Sequence, residues 1–428
     1  MDEQFIINGG KKLEGKIIVC NAKNATLKIL AASILASKPI KVANLPQIED
    51  VNRMKELLID LGAEFYSDTF DCSRLKKTNL NYKIADRFRA SIVLMGPLLA
   101  RFGKVSFPHP GGCTLGKRPI DLFIEGFKAL GASVKKSGSI FTATSKNKKL
   151  IGNKFIFPIV SVTGTETLMM AATLAEGKTI LKNAACEPEV ENLAKFLNSL
   201  GAKISGAGTP IIVIEGVKSL KGGEWDGMPD RIEAGTFIIL GVATNSHIKV
   251  ENCEPNHLDV LLAMLQKAGA NLEIGKNYVM VNPVRSRTSN GVKPAGRLKS
   301  VDITTREYPG FATDLQAPFT VLMTQADGVS LIHETIYDGR LFYTDILNQM
   351  GADIIMADPH RVIVRGSSSL HGKKIYSPDI RAGMALVIAA LLAKGQSTID
   401  NIYQIDRGYD KIDGRLRALG ADIKRVST

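Results

Sequence analysis

The sequence predicts an α/β (α+β) chain folded as two lobes of three repeats each. A Gly-Ala pair recurs six times, beginning at residues 62, 131, 201, 269, 351 and 420, at intervals of 69, 70, 68, 82 and 69 residues. Before each pair lies a run with apolar residues at helical spacing, such as Met54–Leu61, and after it a short alternating run, such as Ala202–Ser205. The 428 residues also exceed what one hydrophobic core organises, which favours a division of the six units.

The elements follow from local chemistry. Each amphipathic helix stops at the glycine of its pair, because glycine adopts the left-handed helix-ending conformation without penalty. A second kind of helix is apolar on nearly every side and leads into a β-branched strand. Examples are Leu27–Ser37 before Ile40–Asn44, Leu168–Glu176 before Thr179–Asn183, Thr236–Ala243 before His247–Asn252, and Ala385–Ala393 before Ser397–Asn401. All-round apolarity places these helices inside. The irregular stretch Pro283–Lys299 accounts for most of the 82-residue interval and reads as an exposed loop within the fourth unit. The Gly- and Pro-rich run Lys221–Asp230 reads as the lobe boundary. The opening strand Gln4–Val19 precedes the first full unit and completes the last one. Residues 1–20 with 230–428 are therefore expected to form the C-terminal lobe, and 21–229 the N-terminal lobe.

Composition narrows the function. With 45% apolar and 23% charged residues the chain is globular rather than disordered or repetitive in composition. No apolar run reaches the roughly 18 residues of a membrane-spanning helix. The acidic start Met1-Asp-Glu3 is unlike a secretory signal. Five scattered cysteines without a Cys-x-x-Cys pair indicate neither a disulfide framework nor a zinc site, and fit a reduced, cytoplasmic protein. The net charge of +13 suits nucleic acid, a membrane surface or small polyanionic substrates. Aromatics make up only 6% and do not interleave with the cations, unlike a surface that stacks single-stranded bases. The six histidines form no ligand spacing. Walker, Gly-x-Gly-x-x-Gly and Gly-x-Ser-x-Gly signatures are missing, so neither a metal nor a cofactor is expected. The charge is read as a generally basic surface rather than a nucleic-acid footprint, and no nucleic acid, membrane or required protein partner is expected.

The densest chemical segment is Pro108–Leu122, with three glycines, three prolines, Cys113, and the cations Lys117 and Arg118. Cations near a cysteine on a loop favour the reactive thiolate. Lys23-Asn24 sits at the start of the first apolar helix, where free N–H groups suit a phosphate, although a capping turn with a solvated lysine reads equally well. Arginines recur near turns: Arg89, Arg231 after Asp230, Arg381 after Asp379, and Arg407 after Asp406. Their planar forks match carboxylate and phosphate oxygens. Asp314 precedes another apolar helix, as an N-cap or a general base.

From these residues the chain is similar to the enolpyruvyl transferases, and most of all to the branch that starts bacterial peptidoglycan synthesis. The likeness runs end to end through Ala22–Ala25, Arg89–Ile92, the Cys113 loop with Arg118–Leu122, Ala171–Gly177, Pro229–Phe237, Thr313–Ala317 and Ile405–Tyr409. The resemblance implies a two-lobed, inside-out α/β barrel of six βαβαββ units, three per lobe about a pseudo-threefold axis, with the active site in the inter-lobe cleft. It implies transfer of enolpyruvate from phosphoenolpyruvate to the 3′-hydroxyl of UDP-N-acetylglucosamine by addition and elimination, with no cofactor. Under it Cys113 is the loop acid and Asp314 takes the hydroxyl proton. Lys23, Asn24, Arg118 and Arg407 hold phosphoenolpyruvate. Arg89, Arg118, Pro119, Ile120, Asp121, Leu122, Ile159, Val160, Ser161, Val162, Asp314 and Ile336 line the nucleotide-sugar site. Arg231, Arg340, Asp379 and Arg381 are further cleft residues. The chain departs from the family pattern at His109-Pro110, Phe123, Cys186 and Cys20-Asn21. Alternatives are an enolpyruvyl transferase acting on another uridine nucleotide, and an RNA-binding or RNA-end-processing protein built on the same repeat.

Overall fold

The computed structural model describes residues 3–109, 111, 120–284, 286–288, 291–293 and 298–427. Their contacts separate into two units, one of residues up to 20 and from 229 onward, the other from 21 to 228. Each has its own core. One cluster of buried apolar side chains is drawn from residues 22–228, the other from residues 5–19 and 232–423.

Each unit contains three copies of one motif. Its clearest form is strand Lys154–Ile156, helix, strand Lys178–Lys182, helix, then strands Lys203–Ser205 and Ile211–Glu215. The first two strands pair in parallel and the last two add antiparallel, giving a four-stranded sheet. Five such four-stranded sheets are present, and a sixth has three strands extended by a single bridge from Asn79 to Ser106. The six inner helices are α1 (Lys23–Ala32), α2 (Met95–Phe102), α3 (Val162–Thr173), α4 (Arg231–Ala243), α5 (Gln316–Met323) and α6 (Ile380–Leu392). They are buried almost throughout, as their all-round apolarity predicts. The outer helices bury one face and end as expected: Gly62, Gly131, Gly201, Gly269, Gly351 and Gly420 all take φ between 82° and 106°.

Several expectations are refined. The opening strand is two strands. Glu3–Asn8 lies inside the last sheet, between Gln396–Asp400 and Asp422–Ser427. Glu14–Ile18 pairs in parallel with His247–Glu251 as the first strand of the fourth repeat. The break falls at Gly9-Gly10, where Gly10 has φ 83° and a β-carbon on Gly9 would meet the Ala393 carbonyl at 2.2 Å. The first repeat correspondingly takes its leading strand from Gly223–Trp225. In the Pro283–Lys299 stretch, Ser286–Thr288 and Gly291–Lys293 pair as a short hairpin.

Gly216 illustrates how tightly the sheets sit on the inner helices. A β-carbon there would fall 1.6 Å from the Ala175 carbonyl oxygen, just beyond α3. Gly216→Ala is expected to destabilise the protein by about 2–3 kcal/mol, since the clash is with backbone. Urea unfolding measures it. An unchanged midpoint would mean that the strand can shift away.

Candidate active site

The inner helices begin where the candidate residues lie. In the unit of residues 21–228, α1 starts at Lys23, whose stem is buried and whose Nζ lies 3.1 Å from Asp50 Oδ2 in the first turn of helix Glu49–Leu61. Asn24 follows it, half-buried. Arg89, also half-buried, opens the 3-10 turn Arg89–Leu94 that runs into α2. Ile159, Val160, Ser161 and Val162 form the entry to α3. Ser161 caps it by accepting a hydrogen bond from Gly164 N at 3.1 Å, and Ile159 stands 68% exposed, an unusual place for so apolar a side chain. Ile120 is buried ahead of helix Asp121–Ala129, where Asp121 is exposed. Leu122 reaches the first turn of α3: a β-carbon on Gly164 would meet its Cδ2 at 2.5 Å. Leu122 and the Ser161 turn are thus brought together. Cys113, Arg118 and Pro119 lie outside the described residues.

Behind this surface is a buried ion pair. Lys28 Nζ lies 3.0 Å from Glu166 Oε2, with both side chains shielded from water. Burial pushes the Glu166 carboxyl up to about 7, Lys28 acts against that rise, and Glu189 and Glu187 add to it.

In the other unit, Asp230 caps α4 by accepting from Ile232 N and Glu233 N, and Asp379 caps α6 by accepting from Arg381 N and Ala382 N. Arg231 begins α4 with its guanidinium 5.6 Å from the centre of the Tyr308 ring. Asp314 sits in the 3-10 turn Thr313–Leu315 that leads into α5. Its Oδ1 accepts from Arg340 Nη2 at 2.7 Å and its Oδ2 from Arg381 Nη2 at 3.3 Å. Burial would favour the neutral form of both arginines, but Asp314 together with Asp379 and Glu334 around Arg340, and with Tyr409 and Asp230 around Arg381, outweighs it and keeps both protonated. Arg381 also donates to the Tyr409 hydroxyl, which is 3.2 Å from Thr236 Oγ1. Arg407 is buried just beyond the short helix Tyr403–Asp406 and donates to Gln404 Oε1 at 2.9 Å. Its neighbour Asp406 accepts two bonds from Arg425, which pins that segment to the terminal strand. Ile336 is half-buried in the turn that carries Arg340.

The structure therefore gathers Asp314, Arg340 and Arg381 directly, with Asp379 acting on Arg340 through its charge. A carboxylate aligned by two buried guanidiniums, with about a quarter of its side chain exposed, is equipped to accept a proton from a hydroxyl group. Among the described residues no three His, Cys, Asp or Glu side chains gather as metal ligands do. The reading of the sequence missed Asp50, Lys28, Glu166 and Glu334. Lys28 and Glu166 carried a signal, since each places a charge within an otherwise apolar helix. Asp50 carried none, because its pairing with Lys23 spans 27 residues.

The model of the EPSP synthase (3-phosphoshikimate 1-carboxyvinyltransferase) family matches residues 7–416. Two curated relatives, from the Dugway 5J108-111 and RSA 493 / Nine Mile phase I strains of Coxiella burnetii, are each 43% identical over 431 aligned positions. The match covers 100% of this chain and 96% of theirs, and both are named UDP-N-acetylglucosamine 1-carboxyvinyltransferase. Among solved structures, the enolpyruvyl transferase NikO from Streptomyces tendae superposes with a TM-score of 0.87 at 23% identity, covering 100% of this chain and 99% of that one. An EPSP synthase from Acinetobacter baumannii gives 0.72 at 18%, with both chains fully covered. The repeat architecture agrees with those two folds, and the full-length sequence match fixes descent: the chain belongs to the EPSP synthase family of enolpyruvyl transferases.

Proposed function

We propose that this chain transfers the enolpyruvyl group of phosphoenolpyruvate to the 3′-hydroxyl of UDP-N-acetylglucosamine and releases phosphate, the first committed step of peptidoglycan synthesis. The observation that carries the reading is Asp314, held by Arg340 and Arg381 in a chain 43% identical over its full length to transferases of that name.

The atoms balance in two steps. Asp314 takes the proton of the sugar hydroxyl as its oxygen bonds to C2 of phosphoenolpyruvate, and Cys113 delivers a proton to C3. The tetrahedral intermediate then gives a C3 proton back to the Cys113 thiolate and loses its C2–O bond to phosphate, which leaves with the proton that Asp314 had taken, so that the double bond and both side chains are restored. Two phosphorylated substrates bring several negative charges together, and cations must offset their repulsion. Lys23, Arg118 and Arg407 serve that role for phosphoenolpyruvate, with Asn24. The start of α1 adds to it, because its N-cap, Ala22, offers the backbone N–H groups no side-chain acceptor. Arg89 and Pro119 to Leu122 hold the nucleotide sugar, together with Ile159 to Val162 and Ile336.

Phosphate release tests the reading. It is expected with UDP-N-acetylglucosamine and not with UMP, shikimate 3-phosphate or no acceptor. Release only with another acceptor would keep the chemistry and move the substrate. No release from folded protein would refute the reading.

A further inference from the structure

Comparison of the repeats singles out Glu334. In three of them an asparagine directly follows the second strand, at Asn183, Asn252 and Asn401, each with φ near 55°. Its side-chain amide donates to the carbonyl just past the first strand, at Phe157, Val19 and Ser377 respectively, over 2.7–2.9 Å. That bond ties off the sheet below the start of an inner helix. The fifth repeat has Glu334 at this place, following strand Gly328–His333. There the neighbouring Thr335 hydroxyl makes the tie, donating to the Thr305 carbonyl. The fold thus closes without the Glu334 side chain, which is nevertheless a fully buried acid.

Its carboxylate accepts four hydrogen bonds, about its full capacity. Oε1 accepts from Thr305 Oγ1 at 3.0 Å, Ile336 N at 2.9 Å and Tyr337 N at 3.2 Å. Oε2 accepts from Thr313 Oγ1 at 2.8 Å. The donors belong to three segments: Thr305 just past the first strand of the repeat, Thr313, and the 336–337 turn. Thr313 immediately precedes Asp314, and the 336–337 turn leads into Arg340, the closer partner of Asp314. Burying an acid is costly, and an apolar side chain of similar size would serve packing at least as well. What the carboxylate adds is a fixed distance between two turns.

We propose that Glu334 is a positioning residue: it locks the Thr313-Asp314 turn to the 336–340 turn, so that Asp314 and Arg340 meet in the geometry that proton removal needs. This rests on Asp314 being the proton acceptor.

The test uses Thr313, because removing Glu334 itself leaves buried donors orphaned and endangers folding. Thr313→Val deletes the Oε2 bond at constant shape, and Thr313→Ser keeps it. Thr313→Val is expected to lower kcat about tenfold with KM within twofold, and Thr313→Ser to recover most of the loss. In an Asp314→Asn background Thr313→Val should cost nothing more, since the lock acts through Asp314. Wild-type kcat in Thr313→Val, or a loss that adds fully to that of Asp314→Asn, overturns the proposal. A second readout needs no substrate, so failure of the proposed reaction stays distinguishable. Hydrogen exchange should quicken in Thr313→Val both at residues 312–316 and at residues 335–340. Quickening at 312–316 alone would show that no lock joins the turns.

Discussion

Asp314→Asn is expected to lower kcat by about 10³-fold while the protein stays folded. Positioned general bases contribute roughly 10²–10⁴ in rate, and asparagine has nearly the size of aspartate without the ability to take the proton. The new amide can still accept from one guanidinium, but its NH₂ group faces the other, donor against donor. Arg340 and Arg381 are both buried, so the variant also loses some stability. Circular dichroism and a thermal melt check that the fold persists, and steady-state phosphate release gives kcat. Turnover within tenfold of wild type would remove Asp314 from the chemistry.

The second large effect concerns stability. Lys28→Met is expected to destabilise the protein by about 3–5 kcal/mol near pH 8, because it strips the cation from a fully buried acid. The direction with pH follows from Glu166. Its folded value is pushed up from 4.5 to about 7 by burial, against the pull of Lys28 and with Glu189 and Glu187 adding to the rise. A group raised in this way favours folding below its unfolded value, and that contribution disappears as pH climbs from 4.5 to about 7. Without Lys28 the rise becomes larger, and the carboxyl must either ionise unpaired or stay protonated at a growing cost. The gap between variant and wild type in urea midpoint should be wide at pH 8 and narrow at pH 5. An equal gap at both values would mean that Lys28 matters through packing alone.

What the sequence disclosed follows physical range. Helix periods and glycine stops are local, so all six repeats could be counted and all six glycines took the predicted conformation. The inner helices were legible because uniform apolarity has one use in a globular chain. The leading strands were not legible. Gly223–Trp225 pairs with Ile40–Val42, and Glu14–Ile18 with His247–Glu251, across some 180 and 230 residues of chain. Nothing in a five-residue run announces so distant a partner. Among the site residues, Asp314, Arg340 and Arg381 were named individually, but their mutual bonds depend on where the α5 and α6 helices begin relative to the 336–340 turn. Glu334 escaped notice because it ends a strand where a solvated acid would read the same. Its burial emerges only when its four donors are in place.

If this chain joins enolpyruvate to a sugar hydroxyl through protonation and deprotonation at C3, solvent hydrogen must enter the product methylene. Running the reaction with phosphoenolpyruvate and UDP-N-acetylglucosamine in D₂O, and observing the product methylene by proton NMR, tests it most directly. The expected product is a UDP-sugar carrying an enolpyruvyl ether with deuterium in its vinyl position, formed in step with free phosphate. An enolpyruvyl product with no deuterium at C3, or phosphate released without any ether, would contradict it.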